Sequence, residues 1–192
     1  MKKTLITLFT AVALLAFKPI ADSTWTVDPA HSKLGFSITH MMVSDVDGTF
    51  KSFTATVTSS KDDFSDAVVN LSADVASVST DNDARDKHIK TPDFFDVEKY
   101  PKMTFKSTSF KKTGDKTYKV TGDLTLKGIT KSVTLDATYR GTYINQMNKK
   151  TVAGFKVTGV VKRKDFNIGA NFPTAALSDD VTLTANTEFA KN

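Results

Sequence analysis

Along most of the chain, apolar and polar side chains alternate with a period of two. In "KLGFSITH", Leu34, Phe36, Ile38 and His40 fall on one face, and in "SFTATVTSS" Phe53, Ala55 and Val57 alternate with threonine. Val69, Leu71, Ala73 and Val75 share a side, as do Tyr118, Val120, Leu124 and Leu126. The same holds for Val133, Leu135, Ala137 and Tyr139, for Phe155, Val157 and Val161, and for Val181, Leu183, Ala185 and Phe189. The run from Met103 and Phe105 to Phe110 alternates with one slip. Successive strand residues point to opposite faces, so the pattern predicts about eight strands, each with one apolar face and one face rich in Thr, Ser and Lys.

Between these runs, "TGDK" (Thr113–Lys116), "KGIT" (Lys127–Thr130) and "DVDG" (Asp45–Gly48) have the composition of tight turns. One segment differs. "TDNDARDKHIKTPDFF", Thr80 to Phe95, carries helix signals. Asp81 or Asn82 caps its start, Asp83 adds negative charge to the first turn, and Lys87 and Lys90 sit toward the other end. Asp86 and Lys90 form an i,i+4 pair, and Pro92 stops the helix. Arg85, His88 and Ile89 lie on or near one face, and Phe94 and Phe95 follow as an apolar plug. The segment reads as a lid over one end of the fold.

Amphipathic antiparallel strands must bury one face and manage two edges. Closure into a barrel does both, and an all-β antiparallel barrel with one short capping helix is the expectation. A two-sheet sandwich is the other architecture the pattern permits. The interior of an eight-stranded barrel is just wide enough for side chains or one small ligand. The inward faces mix Phe36, Phe53 and Phe105 with Ala55, Ala73 and Ala137, which suits a cavity and a filled core equally.

The first residues set the compartment. Met1-Lys2-Lys3 precedes the uncharged run "LITLFTAVALLAF", Leu5 to Phe17, which is shorter than the roughly 20 residues a membrane span needs. This is the layout of a secretory signal peptide, residues 1–21 with cleavage after Ala21, ahead of a domain over residues 22–192. The expected location is periplasmic, with no stable membrane insertion once the signal is removed. The whole chain has 26 Lys and Arg; without Lys2, Lys3 and Lys18 there remain 23 against 21 acidic residues, a net charge of +2. Charges of both signs are interspersed, so a nucleic-acid footprint is not expected. There is no cysteine, hence no disulfide framework and no lipid-anchor thiol.

Catalytic and metal signals are weak. The three histidines, His31, His40 and His88, stand in no metal-binding spacing, and no nucleophile elbow or thiol is present. The carboxylate pairs Asp62-Asp63 and Asp179-Asp180 read as solvated turns. No cofactor and no enzymatic activity are expected.

Four stretches resemble those of the YceI-like family of periplasmic polyisoprenoid-binding proteins. They are "WTVDPAHSKLGFSITHMMVSDVDGTFKSF" (Trp25–Phe53), "DNDARDKHIKTPDFFDVEKYPKMTFKST" (Asp81–Thr108), "GDLTLKGITKSVTL" (Gly122–Leu135) and "KRKDFNIG" (Lys162–Gly169). The last contains Arg163 and Phe166 and departs from the family pattern at Asn167, where glycine is usual; asparagine tolerates the positive φ of such a turn. The resemblance implies a lipocalin-like barrel with an elongated apolar channel for a polyisoprenoid or similar long-chain lipid, which it binds, carries or stores without chemistry. It is also compatible with a homodimer. Phe36, Ile38, Phe53, Phe105, Phe155 and Phe166 are then expected to contact the ligand in the channel, and Phe94 and Phe95 at its mouth. A polar head needs donors, and Arg85 and Arg163 are the candidates, with His40 and His88 behind them. The alternative for Arg85 is a salt bridge to a neighbouring Asp, and for Arg163 a surface charge at a strand end. An enzyme acting on such a lipid, or a filled barrel that binds a protein partner, remain the competing functions.

Overall fold

The computed structural model describes residues 22–192. The expected signal peptide, residues 1–21, lies outside them. Eleven strands form one antiparallel sheet: β1 (Ser23–Val27), β2 (Lys33–His40), β3 (Ser44–Phe50), β4 (Phe53–Ser59), β5 (Val68–Asp74), β6 (Val78–Ser79), β7 (Lys102–Lys112), β8 (Thr117–Leu126), β9 (Ile129–Ile144), β10 (Thr151–Lys162) and β11 (Leu177–Lys191). The order β1-β4-β5-β7-β8-β9-β10-β11 returns to β1, so eight positions close into a barrel.

The other three strands are continuations. β11 pairs with β1 through Phe189–Lys191 and with β2 through Leu177–Asn186, so β1 and β2 are two halves of one broken stave. β4 and β3, and β5 and β6, are related in the same way. The breaks have local causes. At the first, Asp28 accepts the Ala30 N–H at 3.0 Å and Pro29 has no N–H for a ladder. At the third, Asp74 accepts the Ala76 N–H at 3.3 Å and opens a one-turn 3-10 helix. Each kink turns the upper half of the wall relative to the lower.

One expected turn is a strand. "DVDG" lies inside β3, with Asp45 and Asp47 exposed and Gly48 buried. The hairpin turn is instead Met41-Met42-Val43, where both methionines adopt positive φ (51° and 58°). The Lys127-Gly128 turn is as expected, with φ of 49° and 74°.

The expected helix is present as α1 (Asp83–Ile89), and Asn82 is its cap, accepting the Arg85 N–H at 3.0 Å. Asp86 does not pair with Lys90. Its carboxylate accepts the Thr80 N–H at 2.7 Å and the Thr80 hydroxyl at 2.6 Å, tying the helix to the strand that precedes it. After α1, Lys127 in the β8–β9 turn donates to the carbonyls of Pro92 (2.7 Å) and Asn167 (2.9 Å), so the lid segment is fastened across the barrel rim.

The opposite end is closed by the loop between β4 and β5. Phe64 takes a positive φ of 57° there and is 1% exposed. Its ring packs against Trp25, Tyr139 and Phe155 with centroids 5.2, 5.3 and 5.1 Å away. Trp25 is thus part of a barrel-end plug. The loop is held by Asp66, which accepts from the Ser59 and Ser60 hydroxyls, by Tyr118, whose hydroxyl donates to the Asp63 carbonyl, and by the Lys112–Asp63 pair at 2.9 Å.

Candidate functional site

The inward faces do not meet in the middle. They enclose a cavity of about 530 Å³. Along β11 alone the lining runs from Leu177 to Phe189. At about 3.3 Å per residue and a strand tilt near 40°, that is roughly 30 Å along the barrel axis. A cavity so long and of this volume is narrow. Its wall is almost wholly apolar, from Ile38, Val46 and Leu183 near the lid to Val57, Phe110 and Phe189 near the plug.

Phe36, Ile38, Phe105 and Phe155 line this channel, as the alternation predicts. Phe94 and Phe95 line it beneath α1 and are themselves buried, and Phe166 joins them. Phe53 does not. It is buried in the core but stands outside the channel lining, next to the break between β3 and β4. Its strand keeps the alternation, with Phe53 on the same face as the channel-lining Ala55 and Val57, but at the strand's first position it is packed into the core beyond the cavity.

The two arginines separate. Arg163 is 2% exposed. Its Nε donates to the Ser178 carbonyl (2.9 Å), Nη1 to those of Ile168 (3.1 Å) and Gly169, and Nη2 to those of Phe172 (2.9 Å) and Leu177 (2.8 Å). Guanidinium has five N–H donors, and all five are taken by backbone oxygens. Arg163 is therefore not a surface charge; it borders the channel, but its N–H groups are already held by backbone carbonyls. It binds together the turn after β10, the 167–176 loop and the start of β11. Burial pushes its pKa below the usual value, with Asp179 pulling the other way. Asn167, at the departure from the family pattern, takes the positive φ expected of it (54°).

Arg85 is only half-buried and lines the channel beside Thr80. It makes no salt bridge to a neighbouring Asp among the described residues. Nε donates to the Thr80 hydroxyl at 2.7 Å and Nη2 to the Thr80 carbonyl at 2.8 Å. Among the described residues Nη1 has no acceptor, so its two N–H groups are available at the lid end. His88 lies edge-on to Phe94 (5.1 Å) and Phe172 (6.2 Å), and His40 stands exposed at the end of β2. Both border the lid end of the channel. His31 is occupied elsewhere, hydrogen-bonded to Asp28 at 2.8 Å. Among the described residues no group of three or more His, Cys, Asp or Glu could hold a metal ion, and no helix is long and apolar enough to cross a membrane.

A closed barrel with a lid helix and an axial apolar channel is a specific arrangement, and comparison with known proteins gives it a family. The YceI-like domain matches residues 25–189. The chain belongs to the YceI-like family. Among its relatives, UPF0312 protein SA2479 of Staphylococcus aureus (strain N315) is 39% identical over 172 residues, covering 86% of this chain and 96% of that one. The crystal structure of the Campylobacter jejuni YCEI protein superposes with a TM-score of 0.72 at 35% identity, covering 86% of this chain and 96% of that one. Burkholderia cenocepacia BcnA gives a TM-score of 0.76 at 27% identity, covering 84% and 98%. A polyisoprenoid binding domain from Saccharophagus degradans, implicated in plant cell wall breakdown, shares the fold with a TM-score of 0.64 at 13% identity, covering 88% and 98%. As in those structures, this YceI-like chain uses nearly all of its described length for the barrel.

Sequence reasoning missed Phe64, the residue that plugs the far end, and the carbonyl cage of Arg163. It also missed Thr80, which lies 7% exposed between Arg85 and Asp86. A polar residue at the foot of a capped helix was the available signal, and it pointed equally to an ordinary turn.

Proposed function

We propose that this YceI-like protein binds one long-chain apolar amphiphile, a polyisoprenoid or similar lipid, and carries or stores it without chemical change. The observation that carries the reading is the narrow apolar channel of about 530 Å³. A hydrocarbon tail gains about 25 cal/mol for each Å² removed from water, so a tail burying roughly 300 Å² gains about 7 kcal/mol before the entropy of binding is charged. The solved relative described as a polyisoprenoid binding domain supports the same class of ligand.

The head group lies at the lid end, where Arg85 Nη1 offers two donors and His40 and His88 border the opening. The tail runs toward Phe155 and Phe189. Phe94 and Phe95 cover the chain just below the head. The almost wholly apolar wall supports binding of a hydrocarbon tail. The basic start and short apolar run within residues 1–21 support export to the periplasm as part of this reading.

Native mass spectrometry of the protein isolated from its own periplasm tests the reading. The expected result is a stoichiometric long-chain lipid, released intact into organic solvent. A barrel that carries none, and that takes up neither a fatty acid nor a prenyl alcohol, would refute it. Turnover of a prenyl phosphate or ester would establish the enzyme instead.

A further inference from the structure

Two glycines face the channel at the same level of the barrel. Gly159 of β10 pairs with Leu183 of β11, Leu183 with Phe36 of β2, and Phe36 with Gly48 of β3. The row across four strands therefore reads small, large, large, small. At Gly48 a Cβ would stand 2.2 Å from Phe36 Cζ, and its three nearest atoms all belong to that ring. At Gly159 a Cβ would stand 2.3 Å from Leu135 Cδ2. Neither glycine has positive φ, so the backbone would accept any residue. Glycine inside a strand costs stability and is explained here only by the side chains lying over it.

Those side chains line the lumen. Phe36 and Leu135 both border the channel, and each lies back against the wall in the space its glycine leaves. A methyl group at either position would push the covering side chain inward by about 1 Å or more to reach ordinary contact distance. In a narrow channel, that is the space a methyl branch needs. Gly122 is a different case: a Cβ there would meet Phe105 Cζ at 2.4 Å but also the Lys106 carbonyl at 2.6 Å, so backbone packing alone accounts for it.

We propose that Gly48 and Gly159 set the bore of the channel and are the specificity-determining residues that admit a methyl-branched chain. The inference rests on the lipid-binding reading above. The test compares phytanic acid with palmitic acid, which share a head group and a backbone length and differ only in methyl branches. The wild type is expected to bind both. Gly48→Ala should weaken phytanic acid about tenfold or more, the usual cost of one misfit carbon in an apolar pocket, and palmitic acid much less. Adding Phe36→Leu to Gly48→Ala should restore phytanic acid binding, because the displaced ring is gone. Equal losses for both acids, no loss, or no restoration by Phe36→Leu would overturn the assignment. If the single variant does not fold, the double variant is compared with Phe36→Leu alone, and equal discrimination by the two is expected. A wild type that binds neither acid counts against the lipid-binding reading, not the bore. In that event the crystal structure of Gly48→Ala decides: the Phe36 ring displaced into the lumen upholds the bore assignment, and an unmoved ring overturns it.

Discussion

The Arg163 guanidinium donates to the Leu177 carbonyl at 2.8 Å, fastening the end of β10 to the first residue of β11. Four more carbonyls complete the cage. Arg163→Met leaves buried carbonyls without donors, each costing about 1–3 kcal/mol, and should destabilise the protein by at least about 3 kcal/mol in urea unfolding. Arg163→Lys keeps the charge but not the fork and should recover less than half of that loss. Wild-type stability in the lysine variant would show that the planar fork is not what the site requires.

Arg85 should behave in the opposite way. Half-buried and bonded only to Thr80, it should lose little stability as Arg85→Met, under about 1 kcal/mol. Binding of palmitic acid should weaken by about tenfold, the worth of one charge-assisted hydrogen bond, while hexadecanol binding changes little. Titration calorimetry with both ligands separates the outcomes. Equal effects on acid and alcohol would remove Arg85 from the head-group contact.

Phe105 and Phe53 make a matched pair, both 8% exposed but only Phe105 in the channel wall. Phe105→Trp should cost about 1 kcal/mol of stability from overpacking, yet lower palmitic acid affinity by about tenfold or more. Phe53→Leu should cost about 1 kcal/mol and leave binding unchanged. Thermal unfolding and a fluorescent fatty-acid displacement assay on the same samples check both.

Acid should loosen the plugged end. The Ser59 and Ser60 hydroxyls hold the Asp66 carboxyl well below the usual carboxylate range, and Lys112 and Ser65 lower Asp63 to about 2. A depressed folded-state pKa means stability that is complete above the unfolded value, about 4, and is lost as pH falls through the depressed range. Asp66→Asn should therefore lower stability at neutral pH by about 1–2 kcal/mol and flatten its decline below about pH 4. An unchanged pH profile in that variant would place the acid-sensitive contacts elsewhere.

Much of the barrel could be read from the chain because its strands obey the period of two, and the helix because Asn82 and Pro92 mark its two ends. The period also led to the channel wall, where Phe36, Phe105 and Phe155 keep the inward alternation. It failed where geometry is non-local. β3 was taken for a turn because "DVDG" has turn composition, although Val46, Gly48 and Phe50 keep the inward alternation. Its glycine serves the Phe36 ring on another strand, which no local rule encodes. Phe64 lies in the polar stretch "KDDFSDA", and its partners Trp25, Tyr139 and Phe155 are far away in sequence. The Arg163 cage is built from backbone oxygens, and carbonyls leave no trace in the order of side chains.

Because the Phe64 loop stoppers one end, a lipid bound as proposed would pass through the lid end. Such a guest would enter greasy end first and leave polar end first, so whatever hands it over or receives it would meet the same face of the molecule each time. On that reading loading and delivery would compete for one threshold, and an occupied sleeve would turn away a second guest without any change of shape.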